Sequence, residues 1–362
     1  MCNPQKAYVR HLNGSCLSNN TVVGVWNFSL FQQHTGKKPV LAETFYLESE
    51  VAGQIGVTRD TMSDMQLHLL LSLFIVWFII CLGLIVDLRG IIHCIIIPVV
   101  FPFFVLLFLL IRSFTLLDTD MVVNHYLRPQ LQQFAIPEMW CHVIQHNIFS
   151  LSLDSGTIIA LSSYNRFHDT LFRPVIITVC VDACTSFVAA FIVFAQLDEI
   201  DFIQSSIKSG YSIAFEMYTR SVTYHKDASF LSIVFFLAMF LMALTAIVEN
   251  CRSILIAMTD QWPSLVRRQI PAAVLFCIVC FLLGLPFVTR GGMLLGKLAD
   301  DYMLTFSPNL TTLLTLIAFT LIYGTDRLYR DLKLMTGNPP SLFWKYVWWA
   351  LIPVLFSLTC VR

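Results

Sequence analysis

The stretch FSLSLDSGTIIALSSYNRF, residues 149–167, places polar and small residues inside an otherwise apolar segment, residues 139–165. A segment of that length and character can cross a bilayer, which takes about 20 residues. Ser, Asp and Gly favour local side-chain bonding or a loosened backbone over regular helix. Unpaired backbone groups are tolerated at mid-bilayer only where they line a site. Residues 150–156 therefore predict a broken helix, and the alternative is a polar kink packed against its neighbours.

The rest of the chain has the composition of a membrane protein. Hydrophobic residues make up 57% and charged residues 13%, whereas soluble domains are roughly a quarter charged. We predict an all-α integral membrane protein with about eight transmembrane helices, at residues 69–86, 91–111, 139–165, 175–197, 229–258, 270–288, 304–324 and 341–361.

Nucleic-acid binding and enzyme activity are not expected. The 23 basic and 23 acidic residues balance, so the chain has no global field that would attract nucleic acid. No nucleophile with a base, metal cluster or phosphate loop is present in the sequence, which leaves catalysis without support.

Residues 1–66 are polar and carry three glycosylation sequons, at Asn13, Asn19 and Asn27. Three sequons in one short polar segment predict an extracellular, glycosylated loop. Residues 67–362 then form the transmembrane domain. An outside start makes alternate links cytoplasmic, and those links are basic, in line with the positive-inside rule. Their basic residues are Arg89, Arg166, Arg173, Arg267, Arg268, Arg327, Arg330, Lys333 and Lys345.

Cys2 and Cys16 are the two of the eleven cysteines that lie in a plainly polar segment. A disulfide between them is expected, because thiols outside the cell are oxidised. The segment that follows Met1 has no apolar core of the kind that signal peptides carry. An extracellular start therefore predicts that earlier spans are missing and that the chain is incomplete.

The motif at residues 149–167 resembles the sixth helix of neurotransmitter:sodium symporters. In that family an FSL element precedes an ASYN-(Lys/Arg)-F signature, and here Phe149-Ser-Leu precedes Ala160-Leu-Ser-Ser-Tyr-Asn-Arg-Phe167. Further elements follow the family's order, namely Phe101-Pro-Phe, Leu110-Ile-Arg-Ser-Phe-Thr-Leu116, Thr185-Ser-Phe187, Gly291-Gly292, Lys297-Leu298, Tyr302, Tyr323-Gly324 and Arg330-Asp331. The resemblance implies an inverted-repeat transporter fold with broken helices. This chain would hold helices four to eleven of the family's twelve.

The function that the resemblance implies is sodium-coupled symport of a neurotransmitter, an amino acid or a related amine across the plasma membrane. Its partners would be a small-molecule substrate, the sodium ion and the lipid bilayer, with no cofactor beyond the coupling ion. The alternative is a divergent, non-transporting member that acts as an interaction or regulatory subunit. The substrate and the chloride dependence stay open, because selectivity in the family depends heavily on helices one and three.

The resemblance also implies ligands for the ions. Ser150 matches a serine that serves sodium and chloride, Asp182 falls at a sodium-binding asparagine, and Ser186 falls at a chloride-binding serine. Residues 182 and 186 share a helix face because they are four apart. We expect Asp182 to face both serines and to offset cation charge that chloride balances in other members, since a fixed negative charge repels a halide at short range.

A second sodium set and a substrate set follow from the same resemblance. Met242, Thr245 and Ala246 match sodium ligands of helix eight, although Ala246 brings no hydroxyl where a serine is usual, and a hard cation prefers oxygen. The substrate candidates are Phe149, Ser150, Ser152, Asp154, Ala246 and Asn250.

Several positions depart from the family pattern. Glycines are usual at Ser152 and Asp154, and Thr315 replaces the acidic residue of an extracellular gate. Arg252 stands where a buried Glu is usual, and we expect it to pair with Glu249, which is three residues away.

Overall fold

A computed structural model of the chain describes residues 9–10, 16–18, 21–22, 50–53, 63–85, 88–116, 128, 131–196, 228–337 and 340–352. Nearly all of these residues are helical, as the composition predicts. The helices are α1 (Leu67–Ile85), α2 (Leu88–Leu116), α3 (Pro137–Ser150), α4 (Thr157–Ser162), α5 (Phe172–Gln196), α6 (Ala228–Gln261), α7 (Gln269–Gly284), α8 (Gly292–Ile317), α9 (Thr325–Thr336) and α10 (Leu342–Tyr346). Short 3-10 helices lie at Leu131–Ala135, Pro263–Arg268 and Leu285–Val288, and π-helices at Ala318–Gly324 and Val347–Leu351.

Five helical segments in the described part are long and apolar enough to cross a membrane, namely Leu67–Ile85, Phe172–Ile192, Ser229–Gln261, Pro263–Val288 and Ser307–Thr336. A shorter apolar helix covers Pro98–Ile111. The five spans and the shorter helix correspond to six of the eight predicted spans, and the other two stay predictions. The break divides the third span into α3 and α4, which are each too short to cross alone, and the last span is described only to residue 352.

The helices are apolar on most sides. Large side chains of α1 such as Phe74 and Phe78 are 58% and 57% exposed, while Ile80 on the same helix is fully buried. A helix that is hydrophobic on all sides is either a core helix or a membrane span. Because the large apolar side chains of α1 are exposed, this helix has the surface expected for contact with lipid.

Two small cores hold the bundle together. The first joins Val105 and Leu109 of α2 to Ile192 of α5 and to Phe235 and Ala238 of α6. The second core is formed by Ile80 of α1, Cys251 of α6 and Cys277 of α7. Helix α6 contributes to both cores and therefore connects α2 and α5 with α1 and α7.

The start of α1 is tied to the end of the apolar segment that contains α7 by a strand-like contact, which we call the clasp (residues 63–66 with 286–290). The backbone N–H of Gln66 donates to the carbonyl of Val288 at 3.2 Å, and the N–H of Arg290 donates to the carbonyl of Asp64 at 3.1 Å. Met65 and Thr289 form an antiparallel bridge between these two bonds. The clasp fixes how α1 and α7 are paired.

The N-terminal segment contains three short antiparallel strands, β1 (Val9–Arg10), β2 (Cys16–Ser18) and β3 (Thr21–Val22), in the order β1-β2-β3. Our helical prediction did not anticipate them, because the strands are too short to give an alternating apolar pattern. Cys2 and the sequon residues Asn13, Asn19 and Asn27 lie outside the described residues. The disulfide with Cys16 and the glycosylation therefore stay predictions.

Candidate functional site

The helix that contains the FSL motif is broken where the sequence predicts. Helix α3 ends at Ser150, residues 151–156 form turns, and α4 begins at Thr157. Gly156 has a φ of +71°, which L side chains rarely adopt and glycine adopts without strain. The break thus lies between two short helices, and Gly156 makes the turn into the second.

Ser152 also lies in the left-handed region, with a φ of +49°. It is the one residue other than glycine with a positive φ in the described part of the chain. A left-handed conformation costs such a residue about 1–2 kcal/mol. A glycine would fit here without that cost, which agrees with the glycine expected from the resemblance. With serine at this position, the turn stores strain at the break.

Ser150 and Asp182 meet across the bundle. The Ser150 hydroxyl donates to Oδ1 of Asp182 at 2.5 Å, which joins the end of α3 to α5. Both residues are half-buried, and Ser186, also half-buried, follows one helical turn after Asp182 on the same face. This arrangement collects carboxylate and hydroxyl oxygens beside the broken helix, which is the kind of ligand set that a hard cation prefers.

A second connection joins the break to α6. The Thr157 hydroxyl donates to Oδ1 of Asn250 at 2.7 Å, and Thr157 is only 5% exposed. The Ser155 hydroxyl lies 2.8 Å from that of Thr157 and donates to the carbonyl of Ser152 at 3.2 Å. Sequence reasoning named Asn250 but missed Thr157. The available signal was a hydroxyl residue directly after the glycine that ends the break.

Met242 and Thr245 of α6 line a hollow of about 160 Å³ between α2, α5 and α6. The other lining residues are Val99, Pro102, Phe103, Leu106 and Thr185. The Thr245 hydroxyl donates within its own helix, to the carbonyls of Leu241 and Met242 at 3.0 and 2.9 Å. The hydroxyl oxygen keeps a lone pair for a ligand, but most of the surrounding side chains are apolar. A larger hollow of about 630 Å³ lies at the α6–α7 link against Pro263–Arg268, away from every candidate residue.

The remaining substrate candidates are spread around the break. Phe149 is 54% exposed, Asp154 is half-buried, and Ala246 is exposed on α6. The structure therefore brings together Ser150 with Asp182 and the break with Asn250, whereas Phe149 and Ala246 lie at exposed positions.

Arg252 connects two helices. Its guanidinium donates to the carbonyl of Gly83 at 2.8 Å and links α6 to α1. The pairing of Arg252 with Glu249 stays a prediction. Thr315, at the position of the gate residue, donates to the carbonyl of Thr311 at 2.9 Å.

Comparison with known proteins gives the family of the chain. A sequence profile of the Sodium:neurotransmitter symporter family matches residues 9–362. The sodium- and chloride-dependent glycine transporter 2 of Xenopus laevis is 28% identical over 334 residues, which cover 90% of this chain and 42% of that protein. The sodium-dependent serotonin transporter of Drosophila melanogaster is 28% identical over 328 residues, 88% of this chain and 52% of that protein.

A third relative is the sodium-dependent nutrient amino acid transporter 1 of Drosophila yakuba. It is 26% identical over 363 residues, which cover 98% of this chain and 56% of that protein. The chain thus spans about half the length of the curated relatives that it matches.

Proposed function

The chain belongs to the Sodium:neurotransmitter symporter family, and we propose that it serves sodium-coupled symport of a neurotransmitter, an amino acid or a related amine. It is a multi-pass membrane protein, with several helices of spanning length. The relatives support the substrate classes, because they are named as transporters of glycine, serotonin and nutrient amino acids.

The contact between Ser150 and Asp182 carries this proposal. It brings an anionic oxygen and a hydroxyl oxygen to the end of α3, beside the turns at residues 151–156. An intramembrane carboxylate is costly unless it is paired or serves a function. In our proposal the sodium ion binds at this point as a transported partner, and the Asp182 carboxylate compensates its charge.

The Asp182 carboxylate also determines the chloride dependence that we propose. A fixed negative charge one helical turn from Ser186 would repel a halide at short range in a poorly solvated site. The proposed transport therefore depends on sodium and little on chloride, because Asp182 supplies the negative charge itself.

The substrate would bind at the break. The turn at residues 151–156 leaves backbone groups outside regular helix, and such groups bind the polar ends of small molecules in transporters with broken helices. Ser152, Asp154 and Asn250 are the polar candidates around this turn. Asn250 is already hydrogen-bonded to Thr157, so substrate binding there would act on the link between the break and α6.

The second ion set is the weaker part of the proposal. Met242 and Thr245 lie together at the hollow, but Ala246 adds no side-chain oxygen. A cation at this point would rely on the Thr245 hydroxyl and on backbone carbonyls.

The location proposed for the protein is the plasma membrane, with residues 1–66 outside the cell. Support comes from the clustered sequons at Asn13, Asn19 and Asn27 and from the basic links predicted on the other side. Glycosidase treatment of the expressed chain should increase its electrophoretic mobility. Unchanged mobility, together with labelling of the segment from the cytosol, would contradict this topology.

Sodium binding to the purified chain tests the function. Radioactive sodium should bind to the chain in lipid nanodiscs, and it should bind equally well in sodium chloride and in sodium gluconate. Reconstituted vesicles with an inward sodium gradient then report uptake of a glycine, serotonin or mixed amino-acid tracer. A chain that binds no sodium in either salt contradicts the proposal.

A second candidate function is a non-transporting subunit that regulates another membrane protein. The observation in its favour is the mostly apolar lining of the hollow at Met242 and Thr245, together with the missing hydroxyl at Ala246. This candidate is supported if the chain binds no sodium but changes the uptake rate of a co-expressed sodium-coupled transporter. It is contradicted if the chain itself transports.

A further inference from the structure

Four cysteines lie in or beside the second core. Cys81 belongs to α1, Cys251 to α6, and Cys277 and Cys280 to α7, and all four are free thiols. Cys251 and Cys277 are 7% and 5% exposed and share the core with Ile80. Cys81 is half-buried and packs against this core.

The pairing of α1 with α7 places two of these thiols opposite each other. The two helices are antiparallel, and their contacts run in order from Gln66 against Val288 in the clasp. Next, Leu73 packs against Gly284, where an added Cβ would lie 3.3 Å from the leucine. The rings of Phe74 and Phe281 follow at 6.1 Å. Further along both helices, this order of contacts brings Cys81 to within one turn of the level of Cys277, and Cys81 packs against the core that contains Cys277.

The thiols at this position belong to one packed cluster. Cys81 packs against the core that Cys277 and Cys251 share with Ile80. A metal site is not supported here, since no three His, Cys, Asp or Glu side chains in the described part of the chain are arranged to hold an ion. Two adjacent thiols on two packed helices are instead suited to a reaction that needs two sulfurs.

We propose that Cys81 and Cys277 form an oxidisable thiol pair, which a membrane-soluble organic hydroperoxide converts into a disulfide between α1 and α7. One sulfur attacks the outer oxygen of the hydroperoxide and breaks the O–O bond, which gives a sulfenic acid and releases the alcohol. The second sulfur then attacks the sulfenic sulfur, forms the S–S bond and releases water. Both thiol protons leave in these two products, and the hydroperoxide is the two-electron oxidant.

The two sulfurs have different roles because their surroundings differ. Cys81 is half-buried and is reached first, whereas Cys277 is 5% exposed and closes the disulfide. Apolar surroundings slow the first step, because they disfavour a reaction that passes through a charged sulfur. An oxidant that accumulates in lipid compensates for this, since its local concentration around the bundle is high. The product is uncharged, so the apolar core can accommodate it.

The test uses the full chain in lipid vesicles treated with cumene hydroperoxide. Remaining thiols are blocked with N-ethylmaleimide, and the digested protein is analysed by mass spectrometry without reduction. We expect one linked peptide pair that contains Cys81 and Cys277, and two fewer blocked thiols for each oxidised chain. Dithiothreitol should restore both thiols.

Cys280→Ser is the matched control, because Cys280 lies on the same helix one turn from Cys277 and the link should form in this variant as in the wild type. Cys81→Ser should abolish the link and leave Cys277 blocked by the maleimide. The proposal is overturned if the wild-type chain links Cys81 to Cys251 or Cys280 instead. It is also overturned if no link forms while the exposed Cys180 is oxidised. The detection of linked peptides in the wild-type chain requires neither variant and does not depend on sodium transport.

Discussion

Thr157 and Asn250 are joined by a hydrogen bond of 2.7 Å that ties the second half of the broken helix to α6. Thr157 is almost fully buried, so a Thr157→Val substitution keeps the packing and removes the donor. We expect this substitution to lower the free energy of unfolding by about 1 kcal/mol, the usual net value of one hydrogen bond. Denaturant unfolding of the purified chain in detergent measures the change.

Thr178→Val is the control for that substitution. The Thr178 hydroxyl donates to the carbonyl of Pro174 within its own helix, at an exposed position, so its removal breaks no contact between helices. Equal stability of the two variants would show that the Thr157 contact contributes nothing to the native state.

Asp182→Asn should weaken sodium binding at least about tenfold, or roughly 1.4 kcal/mol, because a neutral amide attracts a cation less strongly than a carboxylate does. The amide also removes the negative charge near Ser186, so sodium binding to the variant should be stronger in chloride than in gluconate. Sodium titrations of wild type and variant in both salts measure the two effects.

Ser186→Ala serves as the comparison, since it removes a hydroxyl on the same face of α5 but leaves the carboxylate. Sodium binding should then stay independent of chloride. A wild-type chain whose sodium affinity rises strongly with chloride would contradict the role proposed for Asp182.

Gly156→Ala should destabilise the chain by about 1–2 kcal/mol, the cost of a left-handed conformation for a residue with a Cβ. Crowding does not contribute, because an added Cβ at Gly156 would have no neighbour within 4 Å. Gly156→Asn is the conservative variant and should cost less, since Asn tolerates this conformation better. Thermal unfolding ranks the three proteins, and an alanine variant as stable as the wild type would exclude the conformational requirement.

Gly292→Ala should be more damaging, because its Cβ would lie 2.0 Å from the backbone oxygen of Phe287. Backbone must move to relieve such a contact, and overpacking of this kind costs about 3 kcal/mol or more. Gly296→Ala is the matched control one turn further along α8, where an added Cβ meets nothing within 4 Å. We expect that control to be neutral or stabilising by up to about 1 kcal/mol, since alanine is the better helix former. Similar melting temperatures for the two variants would rule out the close contact at Gly292.

The break was predictable from local chemistry, because Ser, Asp and Gly follow one another inside an apolar segment. The contact between Ser150 and Asp182 was predictable only through the family resemblance. Periodicity assigns residues to helix faces, but it gives no distance between residues on different helices. For the same reason neither the Thr157–Asn250 bond nor the packing of Cys81 against the core of Cys251 and Cys277 could be foreseen.

Helix limits were harder to predict than helix positions. The seventh apolar run was placed at residues 304–324, whereas α8 begins at Gly292 and passes into the π-helix Ala318–Gly324. Hydropathy detects only the apolar part of a helix. The helix itself can be longer, because backbone hydrogen bonding continues through polar residues such as Lys297 and Asp300. The orientation of Arg252 toward Gly83 was missed because spacing along one helix predicts only contacts within that helix.

The clasp limits how the bundle can move. Two helices joined only by side-chain packing can tilt and slide independently, but Gln66 and Arg290 fasten one end of α1 to the end of the α7 segment through backbone hydrogen bonds. The remaining freedom of the pair is a scissor-like opening about that end. Any conformational cycle of the chain must therefore carry α1 and α7 as one hinged unit, with the largest separation at the ends remote from the clasp, near Ile85 and Gln269.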